Sequence, residues 1–184
     1  MPSHEGRWLI LATPALFVWA TLAETRSAPL LASFALAWLL VTLAAIDFAI
    51  LRLPDVLTLP LVLLGLLLCT VLPDRPLTDH VVAAVGGYAA FALLAVAWRR
   101  WRGKEGLGLG DAKLLAAAGA WLGWRLLPIT TLVAASLALA WVLMRSVVAG
   151  KSSEGRLVAF GPPLCAATWI VWLAQSWLDQ WVAI

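Results

Sequence analysis

Three acidic residues stand in sequence surroundings that ask for an explanation: Asp47, Asp55 and Asp111. Asp47 lies in Leu43-Ala44-Ala45-Ile46-Asp47-Phe48-Ala49-Ile50-Leu51, apolar on both sides. An Asp near the centre of a membrane helix costs about 2.5–3.5 kcal/mol on insertion scales. The position is about four residues from the end of its run, which lowers that cost. Arg52, five positions on, falls off the helical face of Asp47. Either a charge on another helix pairs with Asp47, or the carboxyl does chemistry. Asp111 follows Gly106-Leu107-Gly108-Leu109-Gly110. Alternate glycines make a poor helix, so irregular backbone is expected up to Asp111. Asp111 then suits the N-cap of a helix beginning Ala112–Ala120. Capping and chemistry are compatible. Asp55, after Pro54, reads as the N-cap of the next run and is not expected to be catalytic. The other seven acids (Glu5, Glu24, Asp74, Asp79, Glu105, Glu154 and Asp179) read as solvated charges in loops and tails.

Two carboxyls held about 3 Å apart cannot both ionise, and share a proton. One takes a proton from water as general base, while the other polarises a carbonyl as general acid. Such a pair hydrolyses a peptide bond without metal, serine or cysteine, and titrates as a unit. The glycines before Asp111 permit close backbone approach by an extended substrate strand. Other chemistries find little support. Cys69 and Cys165 lie in apolar runs, there is no CxxC, and His4 and His80 are far apart. No metal site, redox pair or cofactor is expected.

The elements that must position these acids are membrane helices. Of 184 residues, 63% are hydrophobic and 12% charged, with mean hydropathy +0.94. A soluble domain carries about 25% charged residues, so a soluble globule, a disordered chain and a nucleic-acid binder are all excluded. Seven apolar runs stand out: Trp8–Ala23, Pro29–Ile50, Val56–Leu72, Val81–Trp98, about Leu107–Trp124, Leu127–Met144 and Leu157–Leu178. The expected fold is all-α, one polytopic membrane bundle over residues 1–184 with about seven spans. The first run has a signal-peptide flavour, but its flanks are weak and it is expected to remain. With a cytoplasmic N-terminus, nine cations (Arg7, Arg52, Arg99, Arg100, Arg102, Lys104, Arg145, Lys151, Arg156) fall inside. Three (Arg26, Arg75, Arg125) fall outside, and Lys113 sits within the fifth run. This satisfies the positive-inside rule. The fifth run is short: the helix from Asp111 to Trp124 covers about 21 Å of a core of about 30 Å. If it did not cross, six spans would remain and the cationic loop Arg145–Arg156 would lie outside, against the charge rule. Tryptophans 8, 98, 101, 121, 124, 177 and 181 fall near span ends, where indoles prefer to sit.

In this topology Asp47 and Asp111 lie at the same depth near the cytoplasmic face. Intramembrane ionisable residues are functional candidates by default. The rival reading is a proton- or cation-coupled transporter using the same acids. It is disfavoured because transport sites tend to lie at the midplane between repeats, and no repeat is evident. A purely structural role explains Asp111 as a cap, but not Asp47.

The residues also carry a family resemblance. Gly103-Lys104-Glu105-Gly106-Leu107-Gly108-Leu109-Gly110-Asp111-Ala112-Lys113-Leu114-Leu115 resembles the G-x-G-D-x-K-L segment of prepilin peptidases, the GxGD membrane aspartic proteases. Ala45-Ile46-Asp47 with Leu53-Pro54-Asp55-Val56-Leu57-Thr58-Leu59-Pro60 resembles the other aspartate segment of that family. Gly119-Ala120-Trp121-Leu122-Gly123 and Phe160-Gly161-Pro162-Pro163 match in the same order. The resemblance implies Asp47 and Asp111 as the catalytic pair, with Gly108 and Gly110 in a supporting loop. It implies type IV prepilins or pseudopilins as substrates, cut after a short basic leader at the cytoplasmic face of the bacterial inner membrane. The partners expected are therefore substrate and lipid, with no nucleic acid. Many bifunctional relatives have paired CxxC motifs linked to N-methylation. None occurs here, so methyltransferase activity is not expected.

Lys113, two positions past Asp111, is expected to snorkel to the headgroups. Glu105 reads as solvated. Gly119 and Gly123, like Gly86-Gly87, read as small residues for helix packing.

Overall fold

The computed structural model describes residues 27–72, 74–102, 108–149 and 159–182. The expected first span, Trp8–Ala23, and Glu105 lie outside the described residues. Among the described residues five helices follow in order: α1 (Ser27–Ile50), α2 (Asp55–Val71), α3 (Leu77–Arg102), α4 (Leu109–Ala149) and α5 (Gly161–Val182). Leu30–Ile50 and Leu77–Trp101 are long and apolar enough to cross a membrane, and Leu109–Val147 is so by length and composition, though it is not one straight helix. Large apolar side chains such as Leu31, Val56, Leu132 and Val147 point outward. A surface of that kind suits lipid rather than water.

α4 has 41 residues. Built straight, it would run about 60 Å and its ends would be far apart. They are not. Asp111 lines one cavity with Leu51, and Arg145 lines another that also includes Leu51. The chain therefore doubles back, and it does so at Gly123, where φ is 75° and ψ 177°. Only glycine adopts that backbone region readily. The expected fifth and sixth spans are thus antiparallel segments, 109–122 and 124–149, joined by one residue. The expectation that Gly123 serves helix packing is corrected: its role is the turn.

A turn this tight leaves helix-end groups without partners, and Arg75 just before α3 with the first turn of α3 supplies them. Arg75 donates from Nη1 to the Trp121 carbonyl at 2.8 Å, and the His80 Nδ1 lies 3.0 Å from the Ala120 carbonyl. A carbonyl only accepts, so that ring nitrogen carries the proton. The Trp124 N–H donates to Asp79 Oδ2 at 3.1 Å. A cation meets a helix C-terminus and a carboxylate meets an N-terminus, as the helix dipole favours. Asp79 is therefore a cap rather than a solvated charge.

The 109–122 segment is the centre of the bundle. Ala112, Leu114, Ala117, Ala120 and Trp121 are all buried, and a helix apolar all round belongs inside. Small residues on its neighbours let the backbones close in. A Cβ on Gly65 would meet the Trp121 ring at 2.7 Å, and one on Gly87 would meet the Leu115 carbonyl oxygen at 3.1 Å. Gly119 itself abuts the Ala83 backbone, in line with its expected packing role. Trp121 departs from the interfacial placement expected of it. It is 1% exposed, donates from Nε1 to the Leu61 carbonyl at 2.8 Å, and meets Trp172 edge-on at 5.3 Å. Trp172 in turn donates to Ser33 Oγ at 2.8 Å, tying α5 to α1.

Gly123→Ala is expected to lower stability by about 1–3 kcal/mol, the range for a residue forced into such a conformation. The added Cβ would also sit 2.6 Å from Asp79 Oδ2. Thermal unfolding in detergent checks this; an unchanged midpoint would mean the turn tolerates a side chain.

Candidate active site

Asp47 projects from the last turn of α1 and is 5% exposed. Its Oδ2 accepts a hydrogen bond from the Gly161 N–H at 3.1 Å. Gly161 opens α5 and is followed by Pro162 and Pro163. The N–H groups of a first helical turn have no partner within the helix, and prolines have no N–H to offer. Gly161 therefore holds the donor of this helix start, and the helix dipole favours a carboxylate there. A Cβ at Gly161 would lie 2.8 Å from Asp47 Cγ and 3.2 Å from its Cβ. Among the described residues, Asp47 forms no ion pair. A backbone donor answers its burial in place of the cation considered from the sequence.

Asp111 projects from the first turn of α4, half-buried. The helix begins at Leu109, earlier than the glycine pattern led us to expect. Asp111 is accordingly not the N-cap. Its Oδ2 reaches back to accept the Gly108 N–H at 3.3 Å, and its own N–H donates to the Gly108 carbonyl at 3.1 Å. This is the backward half of a capping box. Gly108 immediately precedes the helix and Gly110 lies in its first turn, so Gly110 is a helical residue rather than a loop residue. A Cβ on Gly110 would sit 3.1 Å from Leu53 Cβ, which marks a close approach of the α1–α2 link.

Asp47 and Asp111 line one cavity of about 350 Å³, together with Leu51, Leu53, Gly108 and Lys113. Leu51, just past α1, has φ 52° and donates its N–H to the Asp47 carbonyl at 2.9 Å. A bulky residue in this left-handed region is strained, and such strain gathers at functional sites. Nothing local in the sequence signals it.

Two further expectations are corrected. The N-cap of α2 is Pro54, without a side-chain cap bond, and Asp55 is the first helical residue. Lys113 does not snorkel outward; its Nζ pairs with Asp55 Oδ1. From the sequence, Gly161 stood out only within a matching family segment, with no role assigned to it. The order Gly-Pro-Pro, which places proline in a first helical turn, was the available signal. Among the described residues no group of three His, Cys, Asp or Glu side chains is placed to hold a metal ion. The two carboxyls line one space, as a shared acid–base site would require.

Comparison with known proteins follows the same residues. The sequence model of the type IV leader peptidase family matches residues 34–143, a span that contains both aspartates. A prepilin leader peptidase/N-methyltransferase of Aeromonas salmonicida is 39% identical over 175 residues, covering 93% of this chain and 58% of that protein. One from Klebsiella pneumoniae is 49% identical over 124 residues, covering 67% of this chain and 54% of that protein. Leader peptidase HopD of Escherichia coli is 43% identical over 119 residues, covering 65% of this chain and 77% of that protein. The chain thus spans little more than half the length of the two bifunctional relatives. No solved structure matches it. With more than half of its residues matched by that model, around a cavity lined by Asp47 and Asp111, the chain belongs to the type IV leader peptidase family.

Proposed function

We propose that the protein is a membrane aspartic endopeptidase that removes the leader of type IV prepilins or pseudopilins at the cytoplasmic membrane face. The observation that carries this reading is the shared cavity: two carboxyls from helices remote in sequence line one space at one end of the bundle. Asp47 and Asp111 share a proton. The ionised partner takes a proton from water as the water oxygen bonds to the scissile carbonyl carbon. The protonated partner hydrogen-bonds the carbonyl oxygen and neutralises its developing charge. Proton return to the amide nitrogen breaks the C–N bond. The leader leaves with a new carboxyl group and the pilin with a new amino group.

Two features support the orientation. Arg52, Arg99, Arg100, Arg102 and Arg145 lie on the elements at the aspartate end, whereas Arg75 and Arg125 lie at the Gly123 end. That asymmetry suits a cytoplasmic aspartate end. The position of the cavity at one end also suits cleavage near a membrane face better than ion passage through the midplane. The two-acid mechanism needs no further group from outside the chain.

The test is cleavage of a prepilin carrying a short basic leader by the purified protein in detergent, read by mass of the new N-terminus. Cleavage that persists in EDTA is the expected result. Failure to cut any such substrate, or activity lost to EDTA and restored by zinc, would overturn the reading.

A further inference from the structure

We infer that Asp55 and Lys113 act as a positioning pair that fixes the spacing of the two aspartates. This rests on the peptidase reading above. The α1–α2 link, residues 51–54, leaves directly from the turn that bears Asp47. The link and the first residue of α2 are laid against the first turns of α4 at two points. Leu53 meets the face of Gly110 left bare by the absent side chain, and Asp55 Oδ1 meets Lys113 Nζ. Gly110 and Lys113 bracket Asp111 in sequence. The link thus joins the helix of one aspartate to the turns around the other, and the ion pair is its far clasp.

Lys113 is badly placed for any local purpose. A cation near a helix N-terminus opposes the helix dipole, and Lys113 stands in the opening turns of α4. Asp55, in contrast, is in the first turn of α2, where the dipole favours it. Lys113 and Asp55 side chains are 31% and 56% exposed. So exposed a pair adds little to folding stability. What it does is geometric: it holds α2 and α4 in register beside the aspartate cavity, which Lys113 lines. Catalysis is far more sensitive to register than folding is, since misplacement by about 1 Å can cost about 100-fold in rate.

The experiment measures cleavage kinetics and thermal unfolding of full-length Asp55→Asn, Lys113→Met, the double variant, and the conservative Lys113→Arg. Each single change is expected to lower kcat about tenfold, with KM within about twofold and an unchanged melting midpoint. The double variant should fall no further than either single, because both remove one clasp. Lys113→Arg, which keeps the charge and the reach, should stay near the wild-type rate. Full activity in Asp55→Asn, a double variant whose loss is the product of the singles, or a loss in Lys113→Arg equal to that in Lys113→Met would each overturn the inference. Wild-type protein runs alongside. If it fails to cleave, the peptidase reading falls; if it cleaves and the variants behave otherwise, only the clasp falls.

Discussion

Asp47→Asn and Asp111→Asn are each expected to lower leader cleavage by at least about 10³-fold, while both proteins still insert and fold. The magnitude follows from the loss of proton transfer, worth about 10²–10⁴-fold for a single positioned acid or base, at a step where both partners act together. The exchange is nearly isosteric. An Asn at position 47 still presents an oxygen to the Gly161 N–H, so the start of α5 keeps its hydrogen bond. An Asn at 111 can likewise accept from Gly108. What each variant loses is a proton that can move. An amide neither takes a proton from water nor gives one to a leaving amine. Measured rates with a prepilin in detergent, beside melting curves and chromatographic profiles, separate catalysis from folding. Retained cleavage in either variant removes that residue from the mechanism.

The aspartates could be read from sequence because an acid inside an apolar run carries a penalty that sequence alone exposes. Runs of apolar residues likewise anticipated the helical segments over the described residues, including both arms of α4. Their partners were hidden for a physical reason. Arg75, Asp79 and His80 complete a turn whose open groups exist only once the chain has reversed at Gly123, and no local pattern marks a cap donated from another helix. Trp121 shows the same limit. Its place near a span end was legible, but whether an indole faces lipid or the bundle depends on neighbours such as Gly65 and Leu61. The glycines were legible as small residues, yet their separate duties were not. Gly119 admits a backbone, Gly123 turns the chain, and Gly161 admits a carboxylate.

Gly161→Ala is expected to lower kcat/KM about 100-fold with a stability cost of about 1–3 kcal/mol, the range for overpacking a close-fitting site. The added methyl would occupy the space of the Asp47 carboxylate. Neither group is the yielding tip of a long chain. Asp47 has a short side chain on a helix, and Gly161 is fixed at a helix start with two prolines behind it. Either the carboxylate rotates away or α5 retreats, and both break the bond between Gly161 N–H and Asp47 Oδ2. The first outcome moves the carboxyl relative to Asp111. The second withdraws the donor that answers the burial of Asp47. The two can be told apart by where the damage appears. A rotated carboxylate lowers cleavage with a stability loss at the low end of that range, whereas a displaced helix lowers the melting midpoint further. A Gly161→Ala protein that cleaves at the wild-type rate would show that Asp47 needs neither this donor nor this clearance. The role of the Gly-Pro-Pro segment would then be confined to starting a helix.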